Sequence, residues 1–381
     1  MYNTITAIIN VREHKTMFNI LPLREQLPLK LRALYELYGY KKYRMDKFEP
    51  YDMYRENKSF LKYEGIITFT NPNGRLMALK PDVTMSIVKN AVNSAESNKL
   101  YYNENVFRMQ STNGEYSEIN QMGLEFIGGD YNYSQAEVVL LALHSLEAID
   151  SDYILNVAHM GFIGSLLDYA GITNGNREEC LKLIKQKNTH EITEFANKNY
   201  IDSYKTEVIK AVVGISGDFE TALKRLSSLA LNANMISAAH ELSELYKAMR
   251  ASKLEKKLQL DFSIINDPDY YNGIVFQGYI PSTPRAVLSG GRYDNLLRRF
   301  GKQQNAIGFA LYLGELDRAL RSPVDYDTDV LLIYGDATPA QVISALESIK
   351  TSCECVRAEK EIPNSIKAKR IINIKEVIGN A

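Results

Sequence analysis

Asp267–Phe276 reads DPDYYNGIVF and Ser289–Leu297 reads SGGRYDNLL. These two stretches decide how the rest of the chain is read. Ile274–Tyr279 and Arg285–Leu288 carry the β-branched and aromatic residues of strands, and Gly290-Gly291 predicts a tight turn before a helix at Asp294–Phe300. On a structural reading, the tyrosines fill a packing face and the glycines serve turns. On a functional one, adjacent Tyr270 and Tyr271 point to opposite faces of a strand. One then packs while the other offers its hydroxyl to a polar ligand, and the glycine pair lets backbone approach that ligand closely. Either motif alone is weak; the pair is more specific.

Two more segments carry polar groups into apolar surroundings. In LKPDVTMS (Leu79–Ser86), Asp82 or Thr84 can cap a helix over Pro81–Val92, or Asp82 can accept a hydrogen bond from a ligand ammonium group. One role does not exclude the other. In YYNENVFRMQSTNGEYSEINQMGLEFIG (Tyr101–Gly128), Tyr101–Met109 and Gln121–Ile127 read as strands and Gln110–Asn120 as the loop between them. Gln121, Gly123 and Glu125 alternate, so Gln121 and Glu125 share a face. That face is either solvated or a polar patch that needs partners.

The remaining elements follow from periodicity. Leu27, Leu31, Leu34 and Leu37 give a helix over Pro22–Tyr38, with Pro28 near its first turn. Ile66–Phe69 and Leu76–Leu79 flank an Asn71–Gly74 turn, and Gln135–Ala148 is an amphipathic helix. Residues 171–257 are rich in Lys, Glu, Asn, Leu and Ala and read as a mostly helical insertion. Strand character returns at Leu260–Ile265, and Ala306–Leu320 is strand then helix. After a boundary near Ser322-Pro323 the tail alternates strand and helix, a small α/β unit.

Bulk properties exclude several classes. The chain has 381 residues with 45% hydrophobic, 24% charged and a net charge of −1, so no basic excess favours a nucleic-acid partner. Three cysteines, Cys180, Cys353 and Cys355, form neither a disulfide framework nor a metal motif. The five histidines lack metal spacing. No P-loop, Rossmann fingerprint or nucleophile elbow is present. No apolar run approaches the roughly 20 residues that span a bilayer, and MYNTITAIINVREHK lacks a signal-peptide h-region. The expectation is a cytoplasmic protein with no membrane partner.

Taken in order, these pieces resemble the class II aminoacyl-tRNA synthetases, and among them the histidyl-tRNA synthetase family, from about Met17 to Leu320. Phe107-Arg108 followed by a loop and QMGLEFIG resembles the family's second signature motif. DPDYYNGIVF and SGGRYDNLL resemble its two histidine motifs, and AIGFALYLGEL (Ala306–Leu316) its third signature motif. The resemblance implies an α+β fold. An antiparallel sheet flanked by helices would span 1–323 with the helical insertion at about 171–257, and a small α/β unit would occupy 324–381. It also implies a histidine pocket: Asp82, Thr84 and Gln121 on the α-ammonium, Glu125 with Tyr271 on the imidazole, and Arg108 and Tyr270 completing the set. No metal or cofactor is implied.

The chain departs from that family where ATP would bind. Glu315 stands where the third motif ends in a phosphate-gripping arginine, with Tyr312 and Gly314 also replacing the usual neighbours. Glu115 and Ser117 hold basic positions of the second motif's loop, and Gln110 an acidic one. Asn266 replaces an arginine of the first histidine motif. A carboxylate about 4 Å from a phosphate charge costs about 1 kcal/mol in water and about 4 kcal/mol at an effective dielectric near 20. The tail, Val324–Ala381, is shorter than a full anticodon-binding domain. These departures resemble the regulatory paralogue of ATP phosphoribosyltransferase. That likeness implies a non-catalytic subunit, dimeric through about Leu29–Pro50, that binds no tRNA. It would assemble with the short-form catalytic subunit, activate it and relay feedback inhibition by histidine. The rival expectation is a divergent, active histidyl-tRNA synthetase.

Overall fold

The structure is a computed structural model that describes residues 23–57, 65–92, 94, 96–109, 114–265, 270–319, 326–350 and 355–378. Residues Pro28–Ala319 make one compact unit. It takes in the helix Leu23–Leu37 from Pro28 onward, then strand β1 (Lys41–Lys42) and a small antiparallel sheet. That sheet comprises β2 (Phe48–Pro50), β3 (Thr68–Thr70) and β4 (Leu76–Leu79), with β4 in the middle. The Asn71–Gly74 turn closes the β3–β4 hairpin: the Asn71 side chain accepts from the Asn73 and Arg75 amides, and Gly74 takes a positive φ of 76°.

The central sheet adds β5 (Asn98–Met109), β6 (Tyr116–Ile127), β7 (Ile154–His159), β8 (Ser216–Asp218), β9 (Leu258–Asp261), β10 (Ile274–Tyr279), β11 (Leu288–Arg292) and β12 (Ala306–Tyr312). The order is β1–β5–β6–β12–β11–β10–β7–β9–β8. From β5 to β7 every pairing is antiparallel, while β1 joins β5 and β9 joins β7 in parallel. The antiparallel centre of the expected fold is present, in a sheet that is mixed at its flanks.

Gln121–Ile127 is buried on both faces, so the solvated face entertained for Gln121 and Glu125 does not exist. On one side the helix Tyr131–Glu147 packs on β10 and β12. On the other, the helices Thr84–Asn90 and Asp294–Arg299 enclose a cluster that includes Tyr54, Tyr102 and Tyr293. Between 174 and 251 lie the helices Asn174–Lys185, Thr189–Lys198, Ser203–Val213, Phe219–Ser228 and Ala233–Ala251. Asn188, Asp202, Asp218 and Asn232 each start one of the last four by accepting a backbone N–H, a cap worth about 1 kcal/mol apiece. Strand β8 interrupts this helical run and ties it to the sheet edge through β9.

Four local expectations need correction. Gly290 and Gly291 are not a turn; both lie inside β11, flanked by β10 and β12. A Cβ on Gly290 would sit 2.4 Å from the Gly308 carbonyl oxygen, and one on Gly291 would sit 2.7 Å from the Tyr271 ring, so close packing explains the pair. Tyr270 and Tyr271 precede β10 rather than belonging to a strand, so alternation does not sort them. Pro28 lies inside its helix rather than in the first turn. The segment Tyr116–Asn120, expected as loop, is the first part of β6, because the pairing with β5 continues to Met109↔Tyr116. Gln110, Asn266 and the boundary at Ser322-Pro323 lie outside the described residues.

The C-terminal unit is a three-stranded parallel sheet. Strand β13 (Thr328–Ile333) lies between β14 (Val356–Glu359) and β15 (Ala368–Asn373). Leu332, Ala345 of the helix Pro339–Lys350, and Ile374 centre its small core. Among the described residues no helix is long and apolar enough to cross a membrane.

Candidate functional site

The sequence-selected residues converge. Asp82, Thr84, Arg108, Gln121, Glu125, Tyr270 and Tyr271 all line one cavity of about 130 Å³. The sheet supplies its floor. On β6, Gln121 and Glu125 point inward on either side of Gly123, where a Cβ would lie 2.7 Å from the Tyr102 hydroxyl. Gly123 therefore lets the Tyr102 ring, its partner in register on β5, lie across the strand. On β12, Gly308 pairs with Glu125, and a Cβ there would come within 1.8 Å of Glu125 Oε2. Only glycine leaves room for that carboxyl group.

Glu125 is the deep polar group of the cavity, 2% exposed. Thr84 Oγ1 donates to its Oε1 at 2.8 Å, and the Tyr293 hydroxyl donates to Oε2. Burial pushes its carboxyl up to about 8, against the pull of those two hydroxyl donors, and the nearby Asp82 adds to the rise. At neutral pH Glu125 therefore keeps its proton. Such a group can donate to, accept from, or pass its proton to an imidazole of similar basicity.

At the other end, Asp82 takes the capping role that its sequence context allowed and also lines the cavity. Its Oδ1 accepts the Met85 amide at 2.9 Å, fixing the start of the helix Thr84–Asn90, while Oδ2 meets Arg108 Nη2 at 3.3 Å. Burial raises its carboxyl above the usual range, and Arg108 opposes that rise. Arg108 also donates from Nε to the Pro81 carbonyl at 2.7 Å. It is the one cation among the described lining residues, and it is already held by an anion and a carbonyl.

Tyr270 and Tyr271 meet edge-on with ring centroids 4.6 Å apart, and Tyr270 tilts against Tyr293 at 6.1 Å. Tyr270 also hydrogen-bonds Thr84. Both tyrosines thus wall the cavity, where alternation would have placed only one. Tyr102, Ser289, Tyr293, Gly308, Phe309, Ala310 and Tyr312 complete the lining and were not singled out as ligand contacts from sequence. Tyr293 lay within a quoted motif; Tyr102 is placed by cross-strand register, which sequence spacing does not report.

Neither Glu115 nor Glu315 is among the lining residues. Glu315 sits in the first turn of the helix Leu313–Ala319, 3.5 Å from Arg285, and Glu115 is exposed just before β6.

Comparison with known proteins identifies the family. The histidyl-tRNA synthetase family matches residues 22–316. An ATP phosphoribosyltransferase regulatory subunit of Clostridium novyi is 32% identical over 311 residues, 77% of this chain and 71% of that protein. The structure of an ATP phosphoribosyltransferase regulatory subunit/histidyl-tRNA synthetase from Bacillus halodurans superposes with a TM-score of 0.75 at 19% identity, covering 92% of this chain and 93% of that one. A chain of the ATP phosphoribosyl transferase (HisG:HisZ) complex from Thermotoga maritima superposes at 0.61 with 18% identity, covering 76% and 97%.

Proposed function

Since the chain belongs to the histidyl-tRNA synthetase family and shares 32% identity with a regulatory subunit of ATP phosphoribosyltransferase, we propose that it is such a subunit, required for the first step of histidine biosynthesis and without catalysis of its own. It assembles with the short-form catalytic subunit, activates it, and relays inhibition by histidine bound in the tyrosine-lined pocket. The observation that carries this reading is the state of Arg108. Adenylate formation needs cations aimed at a triphosphate, and the cation that lines this pocket is paired with Asp82 at 3.3 Å. Glu315 at the arginine position of the third motif and Asn266 at that of the first histidine motif remove two further attractions.

The same pocket suits free histidine. Asp82, Thr84 and Gln121 face an α-ammonium, and Glu125 with Tyr271 an imidazole. For histidine to regulate, it must bind two states of the assembly with different affinity.

Pyrophosphate exchange with histidine and ATP, run beside co-purification with the short catalytic subunit, tests the assignment. Exchange should be absent and the two subunits should co-purify as an active complex. Exchange at synthetase rates would instead identify a divergent histidyl-tRNA synthetase. Glu125→Ala should abolish inhibition by histidine while leaving activation in place; unchanged inhibition would move the sensor out of this pocket.

A further inference from the structure

We propose that Tyr312 is an end wall that admits a free amino acid to the pocket and refuses one whose carboxyl group carries a further substituent. The inference rests on the amino-acid reading of the pocket and adds its specificity. Gly308, Ala310 and Tyr312 are alternate residues of β12 and all line the cavity. They pair in register with Glu125, Gly123 and Gln121 of β6. The floor therefore rises along the strand from no side chain, to one methyl group, to a full phenol ring. Over those four residues the strand advances about 13–14 Å, roughly the length of one extended amino acid with its neighbours' hydrogen-bonding reach.

The ends differ in chemistry as well as in height. Beside Glu125 the glycine makes room for a buried carboxyl group. At the Gln121 end, Tyr312 stands within electrostatic reach of Arg108 and Asp82, and its hydroxyl is tied to Ser289 on the adjoining strand. A ligand whose ring reaches Glu125 turns its α-carbon toward Asp82 and Arg108. Any group joined to its carboxyl then runs into the Tyr312 ring, which the Ser289 bond holds in place. Exclusion by a fixed side chain is a repulsive device, and it discriminates without any added attraction for the accepted ligand.

Calorimetric titration of the full chain with L-histidine and with a non-hydrolysable histidyl-sulfamoyl adenosine tests the proposal. The native protein should bind L-histidine and bind the adenosine-linked compound weaker by roughly 100-fold. Tyr312→Gly should recover at least about tenfold of that difference and keep its affinity for L-histidine within about threefold. Tyr312→Phe, which keeps the ring but loses the Ser289 bond, should refuse the linked compound more than Tyr312→Gly does and less than the native protein. Equal binding of the two ligands by the native protein overturns the proposal even if no variant folds. So does a Tyr312→Gly variant that binds L-histidine and gains nothing for the linked compound. Failure of the native protein to bind L-histidine at all would remove the amino-acid reading itself, a distinct result.

Discussion

Glu125 gathers the chemistry of the pocket into one titratable group, and its environment fixes how pH acts on the protein. Burial holds its folded-state value at about 8, above the ordinary 4.5 of a glutamate. Below pH 4.5 the carboxyl is protonated in both folded and unfolded chains, so its contribution to stability is fully present. As pH rises toward 8 the unfolded chain ionises freely while the folded one does not, and stability is lost through that window, levelling above it. The loss is up to roughly 1.4 kcal/mol per pH unit. Glu125→Gln cannot ionise, so urea denaturation from pH 5 to pH 8 should show a decline in the native protein that is smaller in the variant. Parallel declines would mean that Glu125 ionises normally. At this scale the sequence was informative where backbone alternation does the placing, as for Gln121 and Glu125. It was silent for Tyr102 and Gly308, which come opposite Gly123 and Glu125 through cross-strand register, a relation that spacing along one strand does not report.

Strand β11 is the element that most changed meaning on folding. In sequence, Gly290-Gly291 carries the signature of a turn. In the sheet, the two glycines face opposite sides of a central strand and answer to different neighbours. Gly290 lies against backbone, since its added Cβ would be 2.4 Å from the Gly308 carbonyl oxygen and 2.5 Å from Phe309 Cβ. Gly291 lies against the Ile274 carbonyl oxygen at 2.7 Å and the Tyr271 ring at 2.7 and 2.8 Å. Two alanine substitutions should therefore fail differently. Gly290→Ala presses on backbone that cannot move without parting β11 from β12. It should cost stability, about 1–3 kcal/mol or more, read as a lowered denaturation midpoint. Gly291→Ala presses on the Ile274 backbone as well as on the Tyr271 ring, so it should cost stability too and, because the ring is pushed from the pocket wall, should also lower histidine affinity, which Gly290→Ala should spare. Equal effects of the two substitutions on both measurements would contradict this division. Glycine composition alone could not separate a turn from two close approaches, because both select for the missing Cβ.

At the scale of the molecule, the elements were largely legible from local pattern and the antiparallel centre from the family resemblance, whereas the order of the strands was not legible from local pattern. The hairpin around Asn71–Gly74 and the helix at Pro339–Lys350 follow from local pattern, whereas the order of the central sheet depends on long crossovers. The parallel joining of β9 to β7 brings Leu258 beside Leu155 across the intervening helices, and no local signal encodes it. The expected pairing of two copies through Leu29–Pro50 is a question at this same scale. Leu29, Leu37 and Phe48 in that stretch are 49%, 58% and 53% exposed. Phe48 also meets Phe69 edge-on at 5.2 Å on the small sheet, where Leu76 of β4 is exposed too. Covering a phenylalanine or leucine side chain stabilises by about 1.5–3 kcal/mol, so a few such residues on each of two copies suffice to drive association, and a charge among them opposes it. We expect sedimentation equilibrium to give a dimer for the native chain. Phe48→Glu combined with Phe69→Glu should give a folded monomer, since both positions are open to solvent within one copy. A native monomer, or a double variant that dimerises as tightly as the parent, would place the contact between copies elsewhere.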